Sequence, residues 1–430
     1  MSLTYKNIIK NFFIYSGGAI FLKMAQAIVI PLNLKVISPT QYGILALANG
    51  FSTIVAIFLG LGLRQALWLD FFHHDNDNRK KILADIITVY LTTSSPIFFI
   101  LILSIPVINK VYFLNSANFS LILIAILTCF LSFFGELFFQ ILRYQSRAYY
   151  CTFVQILSAI FSIILNLCLV LYFQLNIMGV ALANLSSLLI PAVFGFHEYL
   201  KLKINFLTKI NSGLIKKYLS LGAPFIPGMI FAWILSSCDK IILSRFCSMH
   251  EVGIYSLTDT LGQIFNLIIL QPLSGSYLPA LFESYSQNKH NILPIEQKNR
   301  NFMWISMLGM FFLISAGFIV AKKVLLLILP IHYHQVTNYL WLMLVGYIFL
   351  MGTYFSCSYI QFKKKTKFLS LSFCIPAIFN ILLNLLFVPR FGAYGSVAST
   401  TLSYLIYFLI TLAYNRHILQ KDISPETSQC

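Results

Sequence analysis

The sequence predicts an all-α integral membrane protein of about twelve transmembrane helices, set out as two parallel six-helix bundles, and three observations carry that prediction. Of the 430 residues, 58% are hydrophobic and only 10% are charged, against roughly 25% charged in soluble domains. Apolar runs of about 20 residues, long enough to cross a hydrocarbon core some 30 Å thick, recur along the whole chain. Two stretches of the chain also repeat each other, which sorts the runs into two sets.

The runs lie near 11–36, 42–69, 83–107, 118–141, 150–174, 178–199, 218–245, 253–281, 301–322, 336–360, 368–389 and 393–415. The first exceeds the apolar core of a signal peptide, about 7–15 residues, and lacks a small-residue cleavage site. It carries Lys23 midway along its length, and at 100° per residue Ser16, Ala19, Lys23, Gln26, Ile30 and Asn33 share one arc of about 100°. A central lysine costs about 2.5–3.5 kcal/mol on insertion scales, so that face is expected to meet protein or water and not lipid. Two readings follow: Lys23 lines a cavity that takes an anion, or it snorkels or pairs with a carboxylate on another helix. The breaks between later runs hold turn residues and charge, as in His73-His74-Asp75-Asn76-Asp77-Asn78-Arg79-Lys80-Lys81 and Lys363-Lys364-Lys365-Thr366-Lys367. Trp68, Tyr112, Tyr172, Tyr199, Trp304, Tyr333 and Trp341 fall near run ends, as an interfacial aromatic belt would.

The formal net charge is +17. Basic residues alternate with apolar runs and form no single patch, so they speak for membrane orientation and against nucleic-acid binding. Most Lys and Arg lie in breaks on the side of the N-terminus, whereas Lys35, Lys110, Arg245, Lys322, Lys323 and Arg390 lie opposite and Lys23, Arg64 and Lys240 lie inside runs. Both termini are therefore expected in the cytoplasm. The eight cysteines show no CxxC spacing or disulfide framework and read as packing residues.

The repeat pairs Ser38-Pro39-Thr40-Gln41-Tyr42-Gly43-Ile44 with Ser248-Met249-His250-Glu251-Val252-Gly253-Ile254, and Asn166 followed by Gly179-Val180-Ala181 with Asn384 followed by Gly395-Ser396-Val397-Ala398. The expected organisation is a bundle over 1–200, a basic cytoplasmic linker over 201–217, a second bundle over 218–415 and a tail over 416–430. An even helix count per half makes the repeat parallel, about an axis along the membrane normal, and such halves rock around a central cavity.

These features together, with Pro31 and Ser-Pro-Thr-Gln-Tyr-Gly closing the first run and Leu59-Gly60-Leu61-Gly62 in the second, resemble the polysaccharide-repeat (O-antigen) flippases. That family is a branch of the multidrug/oligosaccharidyl-lipid/polysaccharide exporter superfamily, whose lipid II flippases look like fourteen-helix proteins; no extra helix pair is evident here. The resemblance implies a multi-pass protein of the bacterial inner membrane that turns an undecaprenyl-diphosphate-linked glycan from the cytoplasmic to the periplasmic leaflet. It needs no cofactor and serves lipopolysaccharide or other surface polysaccharide synthesis, with a polysaccharide polymerase and a chain-length regulator as candidate partners beside the membrane lipids.

Polar residues inside the runs are the candidate site. Lys23 and Gln26 would contact the diphosphate-sugar headgroup. Arg64, just after Gly60 and Gly62, would hold phosphate oxygens bidentately, or else contact lipid headgroups. Glu136 heads a polar face with Cys129, Ser132, Gln140, Arg143 and Arg147, and reads either as a proton or ion-coupling site or as a partner of Lys23 or Arg143. Asp259, with Tyr255, Gln263 and Asn266 on its stripe, reads as a substrate or ion site, or as a helix-to-helix hydrogen bonder. Asp239 and Lys240 are adjacent, project about 100° apart and must find partners elsewhere, as a gating or structural pair. Asn166 and Asn384 read as helix-packing residues. His73-His74 and His332 with His334 lack a third ligand for a metal, and no Walker A loop is present for ATP.

Two other functions fit the helix count. A multidrug or cation antiporter of the same superfamily would favour an acidic cavity, while here basic mid-helix residues are as prominent as acidic ones. A membrane-embedded polymerase or ligase would need a platform outside the membrane, and the outer connections are short.

Overall fold

The computed structural model describes residues 28–71, 76–144, 148–201, 208–288 and 292–423. All regular structure among the described residues is helical. Ten stretches of them are long and apolar enough to cross a membrane, and the last, Cys374–Asp422, contains both of the final two predicted runs. Large apolar side chains such as Ile305, Phe312, Leu313, Ile319 and Leu327 face outward. Water would reject so continuous an apolar surface; lipid accepts it, and the helices satisfy their own backbone groups. This is a multi-pass membrane protein.

The chain divides into two compact units, Met1–Ile230 and Phe231–Cys430. The first contains α1 (Pro39–Gly60), α2 (Leu63–Phe71), α3 (Asn76–Leu103), α4 (Phe119–Tyr144), α5 (Ala148–Leu167), α6 (Asn176–Ser187), α7 (Leu189–Lys201) and α8 (Ser212–Gly222), and the division falls inside α9 (Ile226–Trp233). Within it α4 packs on α1 and α7, and α5 on α6. Tyr90 of α3 stacks on Phe133 of α4 with centroids 3.6 Å apart, and its hydroxyl donates to the Phe130 carbonyl at 2.9 Å. The second unit contains α10 (Asp239–Phe246), α11 (Met249–Phe265), α12 (Gln271–Gln287), α13 (Leu293–Ile328), α14 (Val336–Ser356) and α15 (Cys374–Ile423). Here α14 is central, packed against α11, α13 and α15.

The repeated Ser-x-x-Gln/Glu motif is a pair of helix caps. Ser38 accepts from the Gln41 amide at 3.3 Å while its own amide donates to Gln41 Oε1 at 3.1 Å, closing a capping box with Pro39 at the first helical position. Ser248 likewise accepts from the Glu251 amide at 3.3 Å. Glu251 does not fold back: its Oε2 accepts from the amide of Ala393 at 3.3 Å. That amide follows Gly392, whose φ of +56° kinks α15 between the last two predicted runs. The same carboxylate leaves no room for a side chain at Gly392.

The second predicted run, 42–69, is two helices. Leu61 and Gly62 have φ of +46° and +71°, and a side chain on Gly62 would collide with the backbone of Gly222 in α8. Gly62 thus admits a close backbone approach, whereas Gly60 has open space beside it. α8 is further held by Asp70, which accepts from Lys217 Nζ at 2.6 Å and from Tyr218 OH at 3.1 Å. Helix and contact therefore reach back into the stretch 201–217 expected as linker. Gly62→Ala combines a disfavoured φ with a backbone clash, so we expect it to cost several-fold in folded yield, measured as monodisperse protein after detergent extraction. The tyrosines expected in the aromatic belt split: Tyr172 is exposed, but Tyr199 and Tyr333 are fully buried, because their run-end positions face neighbouring helices instead of lipid.

Candidate functional site

In the second unit, charge is concentrated where α10 begins. A π-helical turn, Ile234–Cys238, precedes Asp239; such widened turns redirect the side chains that follow them and recur at functional sites. Asp239 is 2% exposed and Asp259, on α11, is 6% exposed. As expected, the adjacent pair does not close on itself through side chains. Lys240 Nζ reaches Asp259 Oδ2 at 2.8 Å and the Ser236 carbonyl at 3.4 Å. Asp239 Oδ1 accepts from the Lys240 amide at 2.8 Å, and Oδ2 accepts from the Tyr255 hydroxyl and from Thr400 Oγ1 at 3.4 Å.

Asp259 completes its shell with Gln263 Nε2 at 3.0 Å and Tyr347 OH at 3.3 Å. Asn266, one turn on, opens a second π-helical turn, Asn266–Leu270, and accepts from Tyr354 OH at 3.3 Å. Within the stripe Tyr255 and Asp259 are buried against α10, α14 and α15, Asn266 is half-buried and Gln263 is exposed. Asp259 holds the ammonium, while Asp239 has only neutral donors, so the cluster contains one more carboxyl group than it has ammonium groups.

In the first unit, Arg64 pairs with Glu136 across α2 and α4. Both side chains are partly exposed, at 37% and 50%. Exposed pairs of this kind contribute about 0–1 kcal/mol, so its significance is accessibility and not stability. Glu136 thus has a partner that neither Lys23 nor Arg143 supplies: the break at Leu61-Gly62 turns Arg64 toward α4. Lys23, Gln26 and Arg147 lie outside the described residues, as do the side chains of Gln140 and Arg143. His73 and His74 lie outside them too, while His334 Nε2 is engaged by the Leu329 carbonyl at 3.0 Å. Among the described residues no group of three or more His, Cys, Asp or Glu converges on a point.

Several members of these clusters escaped the sequence reading. Tyr347 and Tyr354 sit within a run that is mostly apolar, with no charged residue near to mark them. Thr400 had a signal in the hydroxyl-rich stretch Ser396, Ser399, Thr400, Thr401 and Ser403, all buried. Glu296 falls between the runs 253–281 and 301–322, yet α13 starts at Leu293 and buries it beneath Tyr285 OH and the amides of Asn299 and Asn415. That knot ties α12, α13 and α15 together.

The pattern of the family described as "Polysaccharide biosynthesis protein" matches residues 8–285. The chain belongs to that family. No curated protein sequence matches it. Among solved structures, it resembles a lipid II flippase MurJ in an inward closed conformation, with a TM-score of 0.74 and 14% identity over 94% of this chain and 87% of that one. An inward-facing multidrug resistance MATE family transporter of the MOP superfamily gives 0.69 and 13% over 95% and 94%. A point mutant of the Vibrio cholerae MATE transporter VcmN gives 0.58 and 13% over 97% of each chain. At such identities the likeness is one of fold: this polysaccharide biosynthesis family member has a helical fold like that of the MurJ and MATE structures.

Proposed function

We propose that the protein is a flippase that carries an undecaprenyl-diphosphate-linked oligosaccharide, the repeat unit of O-antigen or another surface polysaccharide, from the cytoplasmic to the periplasmic leaflet of a bacterial inner membrane. The observation that carries this reading is the accessible Arg64–Glu136 pair. A diphosphate offers the guanidinium two acceptors at once, a better match than a half-solvated carboxylate, and so displaces Glu136. Glu136, released, is then the group available to a coupling ion. The Asp239–Lys240–Asp259 cluster supplies a second ion-responsive element, with Gln263 and Asn266 beside it, and alternating access of two halves, 1–200 and 218–415, does the rest. Lys23 and Gln26 extend the cationic surface in this scheme, while Arg143 joins the gating contacts. The bias of Lys and Arg supports a cytoplasmic position for both termini, the linker over 201–217 and the tail over 416–430. The reading is of a transporter, not an enzyme, acting ahead of a polymerase and chain-length regulator.

The acidic excess around Asp239 and Asp259 also favours a second reading, a cation antiporter of the same fold, in which the cluster binds an organic cation. Arg64→Ala separates the two. In a strain dependent on this protein, the flippase reading expects surface polysaccharide to fall by about tenfold or more and lipid-linked repeat units to accumulate on the cytoplasmic side, with protein level unchanged. Unaltered polysaccharide would remove the headgroup role of Arg64.

A further inference from the structure

We propose that the first unit holds an uncharged sugar pocket, separate from the Arg64–Glu136 pair, that takes one pyranose ring of the lipid-linked glycan; the proposal rests on the flippase reading. A cavity of about 280 Å³ lies between the end of the first run and α1, α5 and α6, lined by Asn33, Tyr42, Asn49, Ser162, Asn166 and Asn184 with aliphatic walls from Val29, Ile30 and Val180. Its volume is at the lower end of ligand sites, roughly 300–1,000 Å³, which suits a single ring and not an oligosaccharide. Among the described residues no acidic or basic side chain lines it. Those residues offer a diphosphate no cation and a metal ion no carboxylate. Carboxamides provide a donor and an acceptor side by side, the pattern that neighbouring sugar hydroxyls present in return.

The pocket is open for a reason visible in the repeat. Asn33 and Asn166 are 9% and 7% exposed, and the Oδ1 of each has no hydrogen-bond partner. Buried acceptors are normally satisfied. The counterpart of Asn166 is Asn384, and there the site is closed: Ser396 Oγ donates to Asn384 Oδ1 at 2.9 Å, and Asn384 Nδ2 donates to the Asn380 carbonyl at 2.8 Å. The residue corresponding to Ser396 is Val180, which has no donor. The same fold position is thus self-satisfied in one half and left with an unmet acceptor facing a cavity in the other.

The test uses the full chain in detergent and three ligands: a short-chain polyprenyl diphosphate, and the same diphosphate carrying one hexose or one N-acetylhexosamine. Wild-type protein is expected to bind at least one glycosylated ligand about tenfold more tightly than the bare diphosphate. Asn166→Leu and Asn33→Leu should bring that ratio to about one while leaving affinity for the bare diphosphate unchanged. Val180→Ser, which supplies the hydroxyl that closes the other half and introduces no bulk, should reduce the ratio as well. Equal binding of all three ligands by the wild type, or a ratio preserved in Asn166→Leu and Val180→Ser, overturns the pocket and leaves the flippase reading standing. Absence of binding to any of the three overturns the flippase reading and the pocket with it.

Discussion

Lys240→Met is expected to remove most folded protein from the membrane fraction, and Lys240→Met combined with Asp259→Asn to restore it. Lys240 Nζ is the one ammonium in ion-pair contact with either buried carboxylate among the described residues, 2.8 Å from Asp259. Deleting one partner of a buried pair strands the other, at a cost of about 3–5 kcal/mol. Asp259 is the acid stranded here, since Asp239 keeps its hydrogen bonds from the Lys240 backbone amide, Tyr255 and Thr400. Against total stabilities of roughly 5–15 kcal/mol, that cost is a large share. The double substitution removes the stranded charge, and the single carboxamide oxygen of asparagine can still accept from one of Gln263 and Tyr347, which reach different oxygens of Asp259. Thermal melting in detergent and monodisperse yield measure both variants; a single variant as stable as the wild type would show that the pair is not a structural tie.

Glu136→Gln, and Asp259→Asn combined with Lys240→Met, should uncouple transport from its ion gradient. Glutamine can still hydrogen-bond Arg64 but carries no charge to exchange, and the double substitution removes the charged pair without stranding either member. Coupling energies between sites are about 1–3 kcal/mol, or roughly 5–150-fold in rate or affinity. In proteoliposomes loaded with lipid-linked glycan, the wild type should respond to an imposed proton or sodium gradient by a factor in that range. The two variants should respond less than about twofold. An unchanged gradient response in both would detach Glu136 and Asp259 from coupling.

Most of the helical framework was legible because it depends on two local signals, apolar length and the charge of the breaks. The caps at Ser38 and Ser248 were visible as a repeat before their geometry was known. What the sequence could not show depends on contacts distant along the chain. Nothing near Gly62 announces Gly222, so the second run reads as one helix when it is two. That break in turn sets the direction of Arg64, which explains why its pairing with Glu136 was missed while both residues were picked out singly. For Asp239 and Lys240 the geometry of adjacent positions ruled out a mutual pair and required outside partners. Helical periodicity marked Asp259, Gln263 and Asn266 as one stripe, but the phenols of Tyr347 and Tyr354 reach it from a run whose composition is plainly apolar.

The two caps also differ in when they can be completed as the chain is made. The box at Ser38 closes as soon as Gln41 has been synthesised, since all its atoms lie within three residues. Glu251 must wait for Ala393, 142 residues later. During translation the carboxylate at the first turn of α11 therefore lacks this amide donor until the final hairpin arrives. A ribosome stalled before Gly392 would leave the second unit unlatched, while the first would already have its corresponding turn in place.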